Sequence, residues 1–213
     1  MSSVVISGDT SGTVTVTVPA TAGSNTITLP AVTGTAVVGS SAVSAAGQIP
    51  FSTDGSTYTP TAKIVSGTAV ASTSGTAIGF TSIPTWVKRI TVMFFGVSSS
   101  GTSNWQIQIG SGSYTTTGYS SGASNGSALA NSTSAFLLAS NISAAQTYSG
   151  HVVLTPVSGN NWVQSGTLGS TGANYTNVSG GSVSLSGVLD RLQITTVNGT
   201  DTFDAGTINI LYE

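Results

Sequence analysis

VKRITVMFFGV, residues 87–97, sets apolar side chains at Ile90, Val92 and Phe94 and a second apolar set at Met93, Phe95 and Val97. Successive side chains of a strand point to opposite faces, so this reads as a strand that is apolar on both sides, and such a strand is covered on both sides. The next segment, NWQIQI at 104–109, separates its faces more cleanly, with Trp105, Ile107 and Ile109 on one and Gln106 and Gln108 on the other. The clearest alternation is TVTVTV at 13–18, where Val14, Val16 and Val18 share a face.

Period two recurs along the chain. Ile27 and Leu29 form a short strand that Pro30 ends, after a turn at Gly23, Ser24 and Asn25, and a further strand falls at 35–38. Residues 1–39 contain no aromatic side chain, too little for an independent core, so their apolar face must meet another surface. Small residues at 40–48 read as a linker, and IPFSTDGSTYTP at 49–60 as a hairpin turning at Asp54-Gly55, or equally as an extended shaft segment within 40–61. From residue 62 onward, about ten short strand candidates separated by Gly, Ser and Asn turns predict an all-β sandwich or jelly roll. Ser158-Gly159-Asn160-Asn161 suits a hairpin turn, and Ile208, Ile210 and Tyr212 make the last strand integral to the fold.

Composition narrows the function. Of 213 residues only 5% are charged, so Ser, Thr, Gly and Asn supply the polar surface. The mean hydropathy of +0.29 with a net charge of -2 excludes the disordered class. Lys63, Lys88, Arg89 and Arg191 are the four cations and build no phosphate-binding groove, which speaks against nucleic acid. No apolar run approaches the ~18 residues of a membrane helix, and the N-terminus lacks the pattern of a secretory signal. With no cysteine there is no disulfide, zinc cluster or thiol nucleophile, and stability must come from sheet packing and association.

Two stretches carry a resemblance. ISGDTSGTVTVTVPATAGSNTITLPAVTGTAVV at 6–38 resembles a module found near the N-terminal side of phage tail-fibre and virion appendage proteins. GTAIGFTSIPTWVKRITVMFFGVSSSGTS at 75–103, with SGVLDRLQITTVNGTDTFDAGTINILYE at 186–213, is similar to the C-terminal domain of phage and prophage tail fibres, with Trp86-Val87-Lys88-Arg89 and Asp190-Arg191 in the family's order. The resemblance implies a homotrimer located on the virion, with residues 1–39 attached to other virion proteins, 62–213 forming a β-sandwich head, and a bacterial surface glycan or protein as its target. The near absence of a shaft keeps open a capsid decoration or head-fibre protein without a specific receptor.

No catalytic role, metal or cofactor is expected. A serine triad has only His151 to draw on, and it lies on the strand face opposite Val152 and Leu154. Asp201 and Asp204 are the one close carboxylate pair, but their inter-strand loop makes them turn residues, and two carboxylates fall short of a calcium cage. Asp190 and Arg191, adjacent in a strand, are expected on opposite faces and unable to pair. Trp86, Trp105 and Trp162 are expected mostly in the core. Binding residues are sought in two Gly/Ser/Asn-rich segments read as long loops, 110–134 and 168–181. There Tyr114, Tyr119 and Tyr175, beside Asn125 and Asn174, would stack on a sugar ring and bond its hydroxyls, unless the tyrosines pack inward.

Overall fold

The computed structural model describes residues 64–172 and 175–213 in full, and the strand backbones at 3–7, 13–17, 48–51 and 59–62. The chain divides into two units, Met1–Val38 and Gly39–Glu213. In the first, β1 (Ser3–Ser7) pairs antiparallel with β2 (Thr13–Thr17), with Val4 opposite Val16 and Ile6 opposite Val14. The strands expected at 26–29 and 35–38 lie outside the described residues. In the second unit β3 (Gln48–Phe51) and β4 (Thr59–Ala62) form the expected hairpin, although its Asp54-Gly55 turn also lies outside them.

The rest of the second unit is all-β, and its described residues contain no helix. The strands run β5 (Val65–Ser66), β6 (Val70–Ala71), β7 (Ala77–Thr81), β8 (Ile90–Ser99), β9 (Trp105–Ser111), β10 (Ser113–Tyr114) and β11 (Ser120–Ser124). They continue with β12 (Leu129–Ser132), β13 (Phe136–Leu137), β14 (Tyr148–Ser158), β15 (Asn161–Ser170), β16 (Thr176–Ser184), β17 (Arg191–Thr196) and β18 (Phe203–Tyr212). They make two antiparallel sheets. The smaller has the order β10-β9-β17-β7 with β13 also on β9, and the larger has the order β12-β11-β16-β15-β14-β8-β18-β5 with β6 also on β18.

Alternation explains how the two sheets share a core. Trp105, Ile107 and Ile109 of β9, with Leu192 and Ile194 of β17, meet Ile90, Val92 and Phe94 of β8, Val152 and Leu154 of β14, and Ile208 and Ile210 of β18. All of these are buried to 5% exposure or less. Burial of each such side chain contributes about 1.5–3 kcal/mol, which offsets the entropy of ordering so many Gly and Ser residues. Trp105 and Trp162 are buried, and Trp86 packs against the core from its margin beside Tyr212. The Ser158 turn forms as expected, with Ser158 opposite Asn161 where β14 joins β15, and β18 lies inside the larger sheet between β8 and the short β5 and β6.

β8 departs from the alternation expected of it. Its pairing with β14 shifts register between Tyr148 and Gly150, and its pairing with β18 shifts on either side of Ala205. A bulge turns the side chains beyond it to the other face. Val97 is therefore fully buried in the core instead of sharing a face with Met93 and Phe95. The second apolar face is also left uncovered by the described residues, where Met93 is half-buried and Phe95 is 78% exposed.

Candidate functional site

The two segments expected as loops are mostly sheet. β10, β11 and β12 occupy much of 110–134, and the end of β15 with the start of β16 occupies much of 168–181. Neighbours override the weak strand propensity of Gly and Ser: β16 is held along nine residues by β15, whose Trp162 and Leu168 anchor it to the core.

This changes what the tyrosines do. Tyr119 is 3% exposed, packs edge-on to Phe136 with ring centroids 5.0 Å apart, and its hydroxyl accepts the Ile109 N–H at 3.0 Å while facing the Thr115 carbonyl at 3.1 Å. Its ring is thus out of reach of a ligand. Asn125 is equally internal, its Oδ1 accepting the N–H groups of Ser127 and Ala128 to close the β11–β12 turn. Tyr175 packs partly buried against the core, its hydroxyl donating to the Asn141 carbonyl at 3.0 Å and lying 3.2 Å from the Tyr148 hydroxyl. Asn174 lies outside the described residues. Tyr114 is half-buried, its ring 6.0 Å from the Arg191 guanidinium carbon.

Burial gives two of these hydroxyls a measurable signature. Tyr119 is pushed from 10.0 up to about 12 chiefly by burial, and Tyr148 is likewise raised to about 12 by burial and then by the adjacent Tyr175 hydroxyl. A folded-state value above the unfolded one means the stabilisation is complete below pH 10 and is lost as pH rises toward 12. Urea melts between pH 8 and pH 12 should show stability falling above pH 10, and Tyr119→Phe should flatten part of that fall. A profile flat to pH 12 would refute the burial argument.

Asp190, Arg191, Asp201 and Asp204 are engaged in holding the fold. Asp190 precedes β17, so strand alternation does not separate it from Arg191, and the two do pair: Arg191 Nε donates to Asp190 Oδ1 at 2.8 Å and Nη2 to Oδ2 at 3.3 Å. Both carboxylate oxygens also accept the Gly112 N–H, and Arg191 first, then Gly112, holds the Asp190 carboxyl below its usual range. Asp201 accepts from Asn198 Nδ2 at 2.7 Å and from the Ser103 N–H at 3.0 Å, and these bonds lower its pKa in that order. Asp204 accepts from the Ser98 hydroxyl. His151 is exposed on the face opposite the buried Val152 and Leu154.

The concave feature of this region lies between those residues, on the outer face of the larger sheet. A shallow groove of about 590 Å³ crosses β12, β11 and β16 and is lined by Tyr119, Ser120, Ser121, Gly122, Asn131, Ser132, Thr133, Gly180 and Gly181. Register builds it: Asn131 lies opposite Gly122, Gly122 opposite Gly180, and Gly180 opposite Ser165. Gly122 and Gly180 make the floor, with the Asn131 side chain leaning over Gly122, and Ser120, Asn131 and Thr133 are exposed along it. No charged side chain lines the groove. These residues fall inside the two Gly/Ser/Asn-rich segments but are not the tyrosines and asparagines expected to bind; Gly122 within SSGAS and Gly180-Gly181 within a strand-length run mark them in the sequence.

Comparison with protein-family models, with curated proteins and with solved structures found no match for this chain.

Proposed function

We propose that the chain is a structural protein of a bacteriophage particle, a short tail fibre or spike that assembles as a homotrimer. In this reading residues 1–39 attach to other virion proteins and a jelly-roll-like head touches a bacterial surface glycan or protein. The observation that carries it is the open outer face of β14, β8 and β18. Thr91, Met93 and Phe95, His151, Val153, Thr155 and Val157, and Thr207, Asn209 and Leu211 occupy its outward rows. None of them is Asp, Glu, Lys or Arg, while Phe95 is 78% and Val157 69% exposed. An uncharged face with a protruding phenylalanine calls for no partner of opposite charge and suits a second copy of itself. Low charge, hydroxyl-rich strands and the resemblance of residues 6–38, 75–103 and 186–213 to fibre proteins support the virion reading. Repetition of weak sites on a trimer and around a particle supplies about 10² to 10⁴ in avidity, so no deep pocket is needed.

Gold-labelled antibody against the chain, applied to purified phage particles from the source culture, should mark tail or baseplate. Absence of label overturns the reading, and label spread over the capsid replaces it with a decoration protein. Phe95→Asp should weaken self-association by about tenfold or more, because assembly would bury an unpaired carboxylate. The monomer's melting should change little, since Phe95 is mostly solvated. Sedimentation of both forms checks this, and a parent that stays monomeric at micromolar concentration excludes the trimer.

A further inference from the structure

Glycine inside a strand costs stability and forgoes packing, so a strand glycine with no structural duty marks a place where something else approaches the backbone. Gly181 has such a duty: a Cβ there would lie 2.7 Å from the Ser120 carbonyl oxygen and 2.8 Å from the Ser121 Cβ. Gly180 has none. The nearest atom to a Cβ built on it is the Gln164 carbonyl oxygen at 3.6 Å, an ordinary contact, and its φ is not positive. Its partner Gly122 is crowded only by the Asn131 side-chain oxygen, at 3.1 Å. Folding would therefore tolerate a side chain at 180, and its absence keeps the groove floor clear.

The walls carry unused bonding capacity. The side chains of Ser120, Asn131 and Thr133 make no hydrogen bond within the described residues, whereas Asn125 and Ser121 nearby accept hydrogen bonds from backbone N–H groups. Two hydroxyls and an amide supply both donors and acceptors, Asn131 level with the two glycines and Ser120 and Thr133 in the neighbouring cross-strand row, with no charge to pair with phosphate, sulfate or carboxylate. The groove is shallow and open to solvent, which lets a chain lie across the floor without entering an enclosed cavity. We infer that this groove binds a neutral polyhydroxylated chain, an uncharged oligosaccharide lying across Gly122 and Gly180 with its hydroxyls bonded to Ser120, Asn131 and Thr133. This rests on the host-contacting reading above and deepens it by naming the site and the charge class of the glycan.

Gly180→Val in the full chain separates ligand from fold, because valine suits a strand and a purely structural role for the glycine would move stability downward. The probes are maltohexaose, cellohexaose, mannohexaose and galactohexaose, set against hexagalacturonate and a hyaluronan hexamer, read by calorimetry alongside thermal melts, sedimentation and binding of the chain to host cells. The expected result is binding of at least one neutral hexamer in preference to the acidic ones. That binding should fall about tenfold or more in Gly180→Val, whose melting stays at or above the parent's, and severalfold in Asn131→Ala. Unchanged binding in Gly180→Val, or equal binding of acidic hexamers, overturns the inference. So does an altered oligomer with intact glycan binding, which would assign the floor to a neighbouring chain. Failure to bind any neutral hexamer while host cells are still bound overturns the inference and leaves the proposed function standing; failure to bind cells as well removes the host-contacting reading with it.

Discussion

Trp105→Ala is expected to remove about 3 to 5 kcal/mol of folding stability, the cost of truncating a large buried aromatic in a core that relaxes only in part. Trp105 is fully buried on β9 in the smaller sheet, yet its ring contacts belong to the larger one: Tyr148 edge-on at 5.1 Å, Phe203 at 5.7 Å and Phe94 at 6.5 Å between centroids. With Ile107 and Ile109 it therefore holds β9 to β8, β14 and β18, and it supplies the aromatic part of that contact. Its indole N–H also donates to the Ser99 hydroxyl at 2.9 Å, and Ser99 is itself fully buried, so truncation leaves a polar group without its partner. Against a total stability of roughly 5–15 kcal/mol, this loss is a large fraction of the whole. Trp105→Phe separates the two contributions, since it keeps most of the ring contacts and drops the bond, for about 1 kcal/mol plus a small cavity cost. Urea denaturation followed by far-ultraviolet circular dichroism checks both. A Trp105→Ala loss below about 1 kcal/mol would mean that the sheets are not joined through this ring.

Gly206→Ala should cost about 2 to 5 kcal/mol, far more than Gly96→Ala, although the two glycines sit in the same irregular stretch of the β8–β18 pairing. Gly206 has φ +92°, and a Cβ there would lie 2.5 Å from the Gly96 carbonyl oxygen and 2.6 Å from the Val97 Cα. Those are backbone atoms and cannot swing aside. Gly96 has φ +60° but open space around its would-be Cβ, so alanine there meets only the left-handed penalty of about 1–2 kcal/mol. The register shift between these strands turns Val97 into the core and ends the outer row at Phe95, so the Gly206 variant should also loosen Val97 and Phe203. Melting of the two variants side by side tests the asymmetry, and equal losses would show that backbone crowding at Gly206 is relieved without cost.

Much of this architecture was legible in residue order alone. Alternation at 90–94, 104–109 and 208–212 identified the inward faces of β8, β9 and β18, because the strand period is a property of the local backbone and needs no partner to express it. The Ser158 turn was readable for the same reason: its geometry depends on four adjacent residues. What lay beyond reading depends on pairing. A Gly/Ser run has little preference of its own, and only β15 on one side and β11 on the other make a strand of β16, which turns two expected loops into sheet and Tyr119 and Asn125 into internal supports. Val97 changes face because of a register shift set jointly with β14 and β18, and Asp190 meets Arg191 because β17 begins one residue after the aspartate. The groove follows the same logic, since Asn131, Gly122 and Gly180 are neighbours only through inter-strand register. Residue order was enough for the all-β class and the inward side of the strongest strands, through a period that each segment carries alone. Register, bulges and the groove arise only on folding, because backbone hydrogen bonds between distant strands, and not any segment's own preference, choose which residues lie side by side.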